Sequence, residues 1–407
     1  MRSVEEIRAL FPALEREHAG RPVAYFDGPG GTQVPRTVAE AVAHHLLHHN
    51  GNRNWGYPTS VETDRAVADA RSAMADLLGC RPGDVAFGPN MTTLTYHLSR
   101  TLGRTMSPGD EIVVTRLDHF ANVAPWKALE TERGVVVREV PFHPEDGTLD
   151  TDAYEAMLGP RTRLVALGWA SNALGTVTNL LPLLEQAKAV GARTFIDAVH
   201  SAPHLLPAVR AMGCDFLACS PYKFYGPHAG VLYAPAELMD EMDPPRLSCA
   251  PQGAPERFET GTQCHEDMPG IVAAVDFLAG VVDGGTRRER LGRGYALLHD
   301  RGERLLARLW HGLAAIPGVR LFGPPPGMPR TPTLSFVCEG RHGRAVADHL
   351  WSRHALFLSS GSFYAAYVPG DLGVDGPLVR AGCMAYTTEE EVDRLVEGVR
   401  DVMDGAP

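Results

Sequence analysis

Phe216-Leu-Ala-Cys-Ser220-Pro221-Tyr222-Lys223-Phe224-Tyr225-Gly226-Pro227 is the stretch on which the reading turns. It opens with a short apolar run, the pattern of a strand buried on both faces. It then breaks into a loop bounded by Pro and Gly, with one lysine set among aromatics. Desolvation lowers an amine's pKa, and a neutral amine can attack a carbonyl to form an imine. Taken alone, a lysine snorkelling from a loop is the simpler reading of Lys223.

Working outward, similar apolar runs lie at 85–87, 112–115, 135–137, 164–167 and 194–196, and all read as buried strands. Helix-like stretches at about 63–78, 123–132 and 180–190 separate them. Strand alternating with helix predicts an α/β domain with a mainly parallel sheet. A glycine-rich break at 280–285 precedes a long helical stretch at about 287–315. Strands at 333–337 and 378–381 flank a helix near 344–354. The expected division is an N-terminal segment over 1–20 packing on the smaller domain, a large domain over 21–285, and a smaller α+β domain over 286–407.

The bulk composition agrees with a soluble two-domain protein. The chain has 407 residues, 44% hydrophobic and 21% charged, with a formal net charge of −11. The acidic balance argues against nucleic-acid and membrane-surface partners, whose phosphates would repel it. There is no apolar signal segment at the start and no long apolar run, so a cytoplasmic location is expected. Seven cysteines, an odd number with no Cys-x-x-Cys spacing, disfavour a disulfide framework or a zinc site, so no metal is expected.

Polar groups recur where the apolar runs end, which is where ligands bind in open α/β sheets. Asp197 directly follows the run at 194–196; it reads as a helix cap or as a carboxylate needing a cationic partner. Asn90-Met91-Thr92-Thr93 follows 85–87, and as a helix N-terminus it could cap itself or hold a phosphate. Asp118-His119-Phe120-Ala121-Asn122 follows 112–115; His119 reads as a structural histidine or as a ring that stacks on a ligand.

Together, and in this order, these strings resemble the class V aminotransferase family of fold-type I pyridoxal 5'-phosphate (PLP) enzymes, on its cysteine desulfurase-like branch. Further matching strings are Tyr25-Phe-Asp-Gly-Pro-Gly-Gly-Thr32, Ala170-Ser-Asn-Ala-Leu-Gly-Thr176, Asp197-Ala-Val-His200, Phe258-Glu-Thr-Gly-Thr262 and Val379-Arg-Ala-Gly382. The resemblance covers about residues 20–400. It implies a seven-stranded-type sheet flanked by helices, and PLP joined to Lys223 as a Schiff base. It implies that Asp197 pairs with the pyridinium nitrogen and His119 stacks on the ring. Thr92, Thr93 and Ser220 would hold the phosphate, with Tyr222 beside the cofactor. His200 stands where the family usually has glutamine, near the ring hydroxyl and phosphate. Asn172 would contact the ring hydroxyl or the substrate, and Arg380 would clamp the substrate α-carboxylate as a fork. Gly261 and Thr262 would reach the phosphate of a neighbouring subunit, implying a homodimer with shared active sites.

The pattern breaks at one place. A cysteine desulfurase needs a mobile cysteine in the loop that here reads Phe357-Leu-Ser-Ser-Gly-Ser-Phe-Tyr364-Ala365, and Tyr364 stands near that position. An arginine often found just before the loop is replaced by Ser359. Cys264 and Cys383 are the remaining thiols placed to substitute, and a peripheral or buried role is the simpler reading of both. The expected reaction is therefore β-elimination by a carbon–sulfur lyase acting on cysteine or an S-substituted cysteine. Lys223 would move the Cα proton, and Tyr364, Tyr222 or His200 would protonate the leaving group. Transamination, epimerisation, desulfuration through a non-standard cysteine, a tailoring reaction and a non-catalytic scaffold are the alternatives. An aromatic pocket of Trp55, Tyr57, Trp169, Phe363 and Tyr364 is expected around the substrate side chain.

Overall fold

A computed structural model describes residues 2–405. Its centre is a seven-stranded sheet in the order Val85–Gly88, Gly230–Tyr233, Phe216–Cys219, Arg193–Asp197, Thr162–Gly168, Glu111–Thr115, Val136–Val140. Gly230–Tyr233 runs antiparallel to both neighbours, and all other pairings along the five strands from Phe216–Cys219 to Val136–Val140 are parallel. Helices pack on both faces, so the central strands are apolar throughout and do not alternate. Val136–Val140 is the exception: it forms the sheet edge and is only partly buried, with Val136 42% exposed, so of the expected buried run at 135–137 Val135 alone is buried.

A four-stranded antiparallel sheet forms the second layer, in the order Val319–Phe322, Thr333–Cys338, Leu378–Gly382, Ser359–Gly361. Helices Arg287–Ala314, Gly343–His354 and Glu389–Asp404 bury its apolar face around Leu306, Leu334, Leu350 and Leu395. The long helix starts where Thr286 and Glu289 form a reciprocal capping box.

The N-terminal segment touches both layers. Arg8 donates to the Tyr386 carbonyl and pairs with Glu391, but Ile7 and Phe11 are buried in the core of the larger unit. Phe11 packs edge-on against Tyr225, Phe277 and Tyr386. The expected packing on the smaller unit is thus corrected to a bridging one, because the two large apolar side chains of the segment find their burial on the other side. Strand Ala24–Tyr25 pairs in parallel with Leu356–Phe357, which brings the following turn at 27–31 between the two layers.

Candidate active site

The parallel strands end on one side of the sheet, facing the smaller unit, and a cavity of about 580 Å³ lies there. Lys223 enters it from a single helical turn, Pro221–Lys223, directly after strand Phe216–Cys219. Its Nζ donates to the carbonyl oxygens of Pro29 and Gly30, the latter at 2.8 Å, and lies 5.0 Å from the centre of the Tyr222 ring. Burial, then the nearby Arg380 charge, bring the amine down to about 8. The turn that supplies those carbonyls needs a glycine: a Cβ at Gly30 would sit 2.8 Å from Asp27 Oδ1.

Asp197 ends its strand and is 8% exposed. Its Oδ1 accepts from the Val199 N–H at 2.9 Å, and burial pushes its carboxyl up to about 6. Beneath it, buried Asp118 accepts from Asn122 Nδ2 at 2.8 Å and from the Gly168 N–H, and burial pushes it up to about 7. This pins the segment that presents His119. The His119 Nδ1 accepts from the Ala121 N–H at 3.0 Å, so the ring is held in place by its own turn. Burial, with the charges of Lys223 and Arg380, lowers it to about 4, leaving a neutral imidazole at neutral pH.

Asn90 caps helix Met91–Gly103 by accepting from the Thr93 N–H at 2.8 Å, and Ser220 Oγ accepts from the Met91 N–H at 3.1 Å. Thr92 lines the cavity but Thr93 does not. Successive helical residues point about 100° apart, and Thr93 lines a neighbouring depression with His97 and Phe258. The expected pair of phosphate-side threonines is thus reduced to one.

Arg380 is 4% exposed. Its Nη1 donates to the Asn172 carbonyl at 3.0 Å, its Nη2 to Ser359 Oγ at 3.3 Å, and its guanidinium lies 4.1 Å from the centre of the Phe363 ring. Burial lowers it to about 10, so it stays charged at neutral pH, while its Nε has no partner. Asp27, quoted within a motif but not singled out from sequence, lines the same cavity with an unpartnered Oδ1; burial raises its carboxyl against the pull of Arg380 and Lys223. Asn172 donates to the Phe363 carbonyl at 2.8 Å and keeps a buried Oδ1 unpartnered. His200 is buried with Nε2 3.0 Å from Thr331 Oγ1, and burial holds it well below the ordinary histidine value. Tyr222 lines the wall and stacks on His228, with ring centres 4.9 Å apart.

The outer rim is Ser359, Ser360, Gly361, Ser362, Phe363 and Tyr364. Tyr364 is 74% exposed, its ring centre 5.4 Å from that of His119. The rest of the expected aromatic pocket does not assemble. Trp55 and Tyr57 are 64% and 46% exposed and lie outside the cavity, and Trp169 packs against the core of the larger unit. Gly261 and Thr262 are exposed and lie outside this chain's own cavity, as does Cys264. Cys383 is buried beyond the wall, its thiol pushed up to about 12. Among the described residues, no cysteine lines the cavity.

The set can do particular chemistry. A near-neutral amine, a buried carboxylate able to accept from a ring N–H, a neutral imidazole able to stack, and a helix N-terminus with Ser220 and Thr92 face one volume. Asp27, Asn172 and Arg380, each with a buried unpartnered polar atom, line it too. These residues fit a flat aromatic aldehyde bearing a phosphate, beside an amino-acid carboxylate.

Residues 24–395 match the family described as Aminotransferase class-V. The chain is 31% identical over 416 residues to the cysteine desulfurase of Dickeya dadantii (strain 3937), covering 98% of this chain and 96% of that protein. It superposes on the apo structure of a cysteine desulfurase from Thermococcus onnurineus NA1 with a TM-score of 0.90 at 27% identity, covering 100% of this chain and 99% of the other. A cysteine desulfurase from Escherichia coli gives 0.86 at 25% identity, covering 99% of each chain.

Proposed function

The chain belongs to the class-V aminotransferase family, and we propose that it is a PLP-dependent carbon–sulfur lyase that acts on cysteine or an S-substituted cysteine by β-elimination. One observation carries this reading over the activity printed for its relatives: the cavity holds a base and a carboxylate clamp, but no cysteine lines it. Without a thiolate to take sulfur from the substrate, the sulfur chemistry open to this site is loss of the sulfur substituent itself.

PLP, when bound, supplies a pyridine ring that withdraws electrons from Cα of an attached amino acid. The protein does the rest. Lys223 holds the cofactor and moves the Cα proton; an amine brought down to about 8 has a working fraction of free base at neutral pH. Asp197 accepts from the ring nitrogen and favours its protonated form, being ionised above about 6. His119, neutral, stacks on the ring. Ser220 and Thr92, with the Thr92 N–H at the start of helix Met91–Gly103, would hold the phosphate, and Asn172 and His200 would orient the ring from the side. Arg380 grips the α-carboxylate, and Tyr222 or Tyr364 protonates the departing sulfur. Gly261 and Thr262 extend to the phosphate of a second copy in a homodimer. Among the described residues no helix is long and apolar enough to cross a membrane, in keeping with the cytoplasmic placement proposed here.

The test is a screen of the purified holoenzyme against L-cysteine, cystine and S-alkyl and S-aryl cysteines, reading released thiol and pyruvate, with Lys223→Ala as control. Turnover of at least one compound, abolished in the control, is expected. No product from any β-substituted amino acid would overturn the reading.

A further inference from the structure

After strand Ser359–Gly361 the chain forms a strap, residues 362–371, that leaves the smaller sheet and crosses onto the larger unit. At its near end it closes the cavity mouth. Phe363 and Tyr364 have φ of +57° and +59°, a conformation that aromatic residues rarely adopt unless the surroundings impose it. Their carbonyls accept from Asn172 Nδ2 at 2.8 Å and from the Phe120 N–H at 2.7 Å, and the Phe363 ring lies against Arg380.

The far end is tied down by groups that do not line the cavity. Arg116 grips both oxygens of Asp371, Nε to Oδ2 at 2.7 Å and Nη2 to Oδ1 at 2.6 Å, and lies 4.2 Å from the centre of the Tyr367 ring. The Tyr367 hydroxyl donates to Glu139 Oε1 at 2.6 Å; Glu139 also pairs with Lys127 and accepts from Arg116 Nη1 at 3.3 Å. Phe120 packs edge-on against Tyr367, ring centres 5.0 Å apart. The Asp371 and Glu139 side chains are only 24% and 18% exposed, so this is a partly desolvated network with a bidentate pair, stronger than an isolated surface ion pair. Every partner on the larger unit flanks the His119 segment: Arg116 three residues before it, Lys127 in the helix Ala124–Arg133 after it, Glu139 on the adjacent edge strand.

We infer that Arg116–Asp371 and Tyr367–Glu139 form a latch that positions the Phe363–Tyr364 turn over the cavity and, through Phe363, fixes the plane of the Arg380 guanidinium. These are positioning residues. They act on the group that grips the substrate carboxylate and not on Lys223, which stands on a different loop. Loosening the latch therefore weakens substrate binding through Arg380 and slows protonation of the departing sulfur where Tyr364 supplies it, and leaves the Lys223 proton transfer in place. The kinetic half of this inference rests on the proposed function; the structural half does not.

The experiment is a double-mutant cycle on the holoenzyme with Arg116→Gln, Asp371→Asn and the double variant. Deuterium uptake over 359–371 is measured by mass spectrometry, alongside KM and kcat for the best substrate of the screen. Each single variant is expected to speed uptake over the strap about fivefold or more, and to raise KM about tenfold. The double variant is expected to be no worse than the worse single one, because both remove one interaction. Unchanged uptake in both single variants, additive effects in the double, or an unchanged KM would each overturn the latch. Should the charge changes prevent folding, Tyr367→Phe, which removes the hydroxyl that donates to Glu139 and accepts from Lys127, is read by the same uptake, and no change there overturns the latch equally. If the wild-type protein turns over no β-substituted amino acid, the proposed function fails while the uptake arm still decides the latch.

Discussion

Lys223 Nζ donates to the Gly30 carbonyl at 2.8 Å, which ties the amine on the larger sheet to the turn carried in by the N-terminal segment. The amine is thus held beside polar acceptors yet buried, and its pKa falls to about 8 because burial outweighs the pull of Asp27 and Asp197. Attack on an aldehyde needs the free base, whose fraction grows as pH rises through that value. The rate of PLP uptake by cofactor-free protein, followed by the imine absorption band, should therefore rise between pH 6.5 and 9 with a midpoint near 8. A flat profile, or a midpoint near the ordinary lysine value, would contradict this.

Asp197 is held ionised above about 6 and faces the cavity. Asp197→Asn keeps the shape but cannot stabilise a protonated ring nitrogen. We expect kcat to fall about a hundredfold, within the range general acid–base groups contribute, while the protein stays folded by circular dichroism. Retention of wild-type kcat would remove Asp197 from the account.

Arg380 makes a fork and stacks on Phe363. Arg380→Lys keeps the charge and loses both features, so KM should rise about tenfold or more. An unchanged KM for the amino-acid substrate would show that the carboxylate is held elsewhere.

Cys264 is exposed outside the cavity and Cys383 is buried with its thiol pushed up to about 12. Neither lines this chain's own cavity. Cys264→Ser and Cys383→Ser should each keep turnover within about twofold. Loss of activity in either, with the fold intact, would favour desulfuration through a non-standard cysteine.

Gly175 has φ +79°, and a Cβ there would meet the Thr333 carbonyl oxygen at 2.4 Å, where backbone of the smaller sheet cannot yield. Gly175→Ala should lower the stability to urea by about 2 kcal/mol or more. A midpoint equal to wild type would mean that the two units separate here more easily than their packing suggests.

The apolar runs locate the site's groups at strand ends, and the ordered resemblance supplies their roles. Asp197, His119, Asn172 and Lys223 each sit just past a parallel strand, and strands of one direction bring their ends together. What was not legible depended on tertiary contact. Gly230–Tyr233 is four residues long behind a Gly/Pro-rich loop, too short to show periodicity, and its reversed direction has no local signature. Asp27 reaches the cavity only because Ala24–Tyr25 joins the strand Leu356–Phe357, far away in sequence. Thr93 is expected at the phosphate from the family resemblance, and its side chain lines the neighbouring depression instead of the cavity. Trp55 and Tyr57 are expected in the pocket from the family resemblance, and within this chain they lie outside the cavity.

The most direct test of the central claim is the fate of L-cysteine on the purified holoenzyme, with no thiol acceptor added. Elimination takes cysteine and water to pyruvate, ammonia and sulfide. The account predicts pyruvate and sulfide in equal amounts over many turnovers, lost in Lys223→Ala. Alanine as the carbon product, with sulfur carried on the protein as a persulfide, would contradict it.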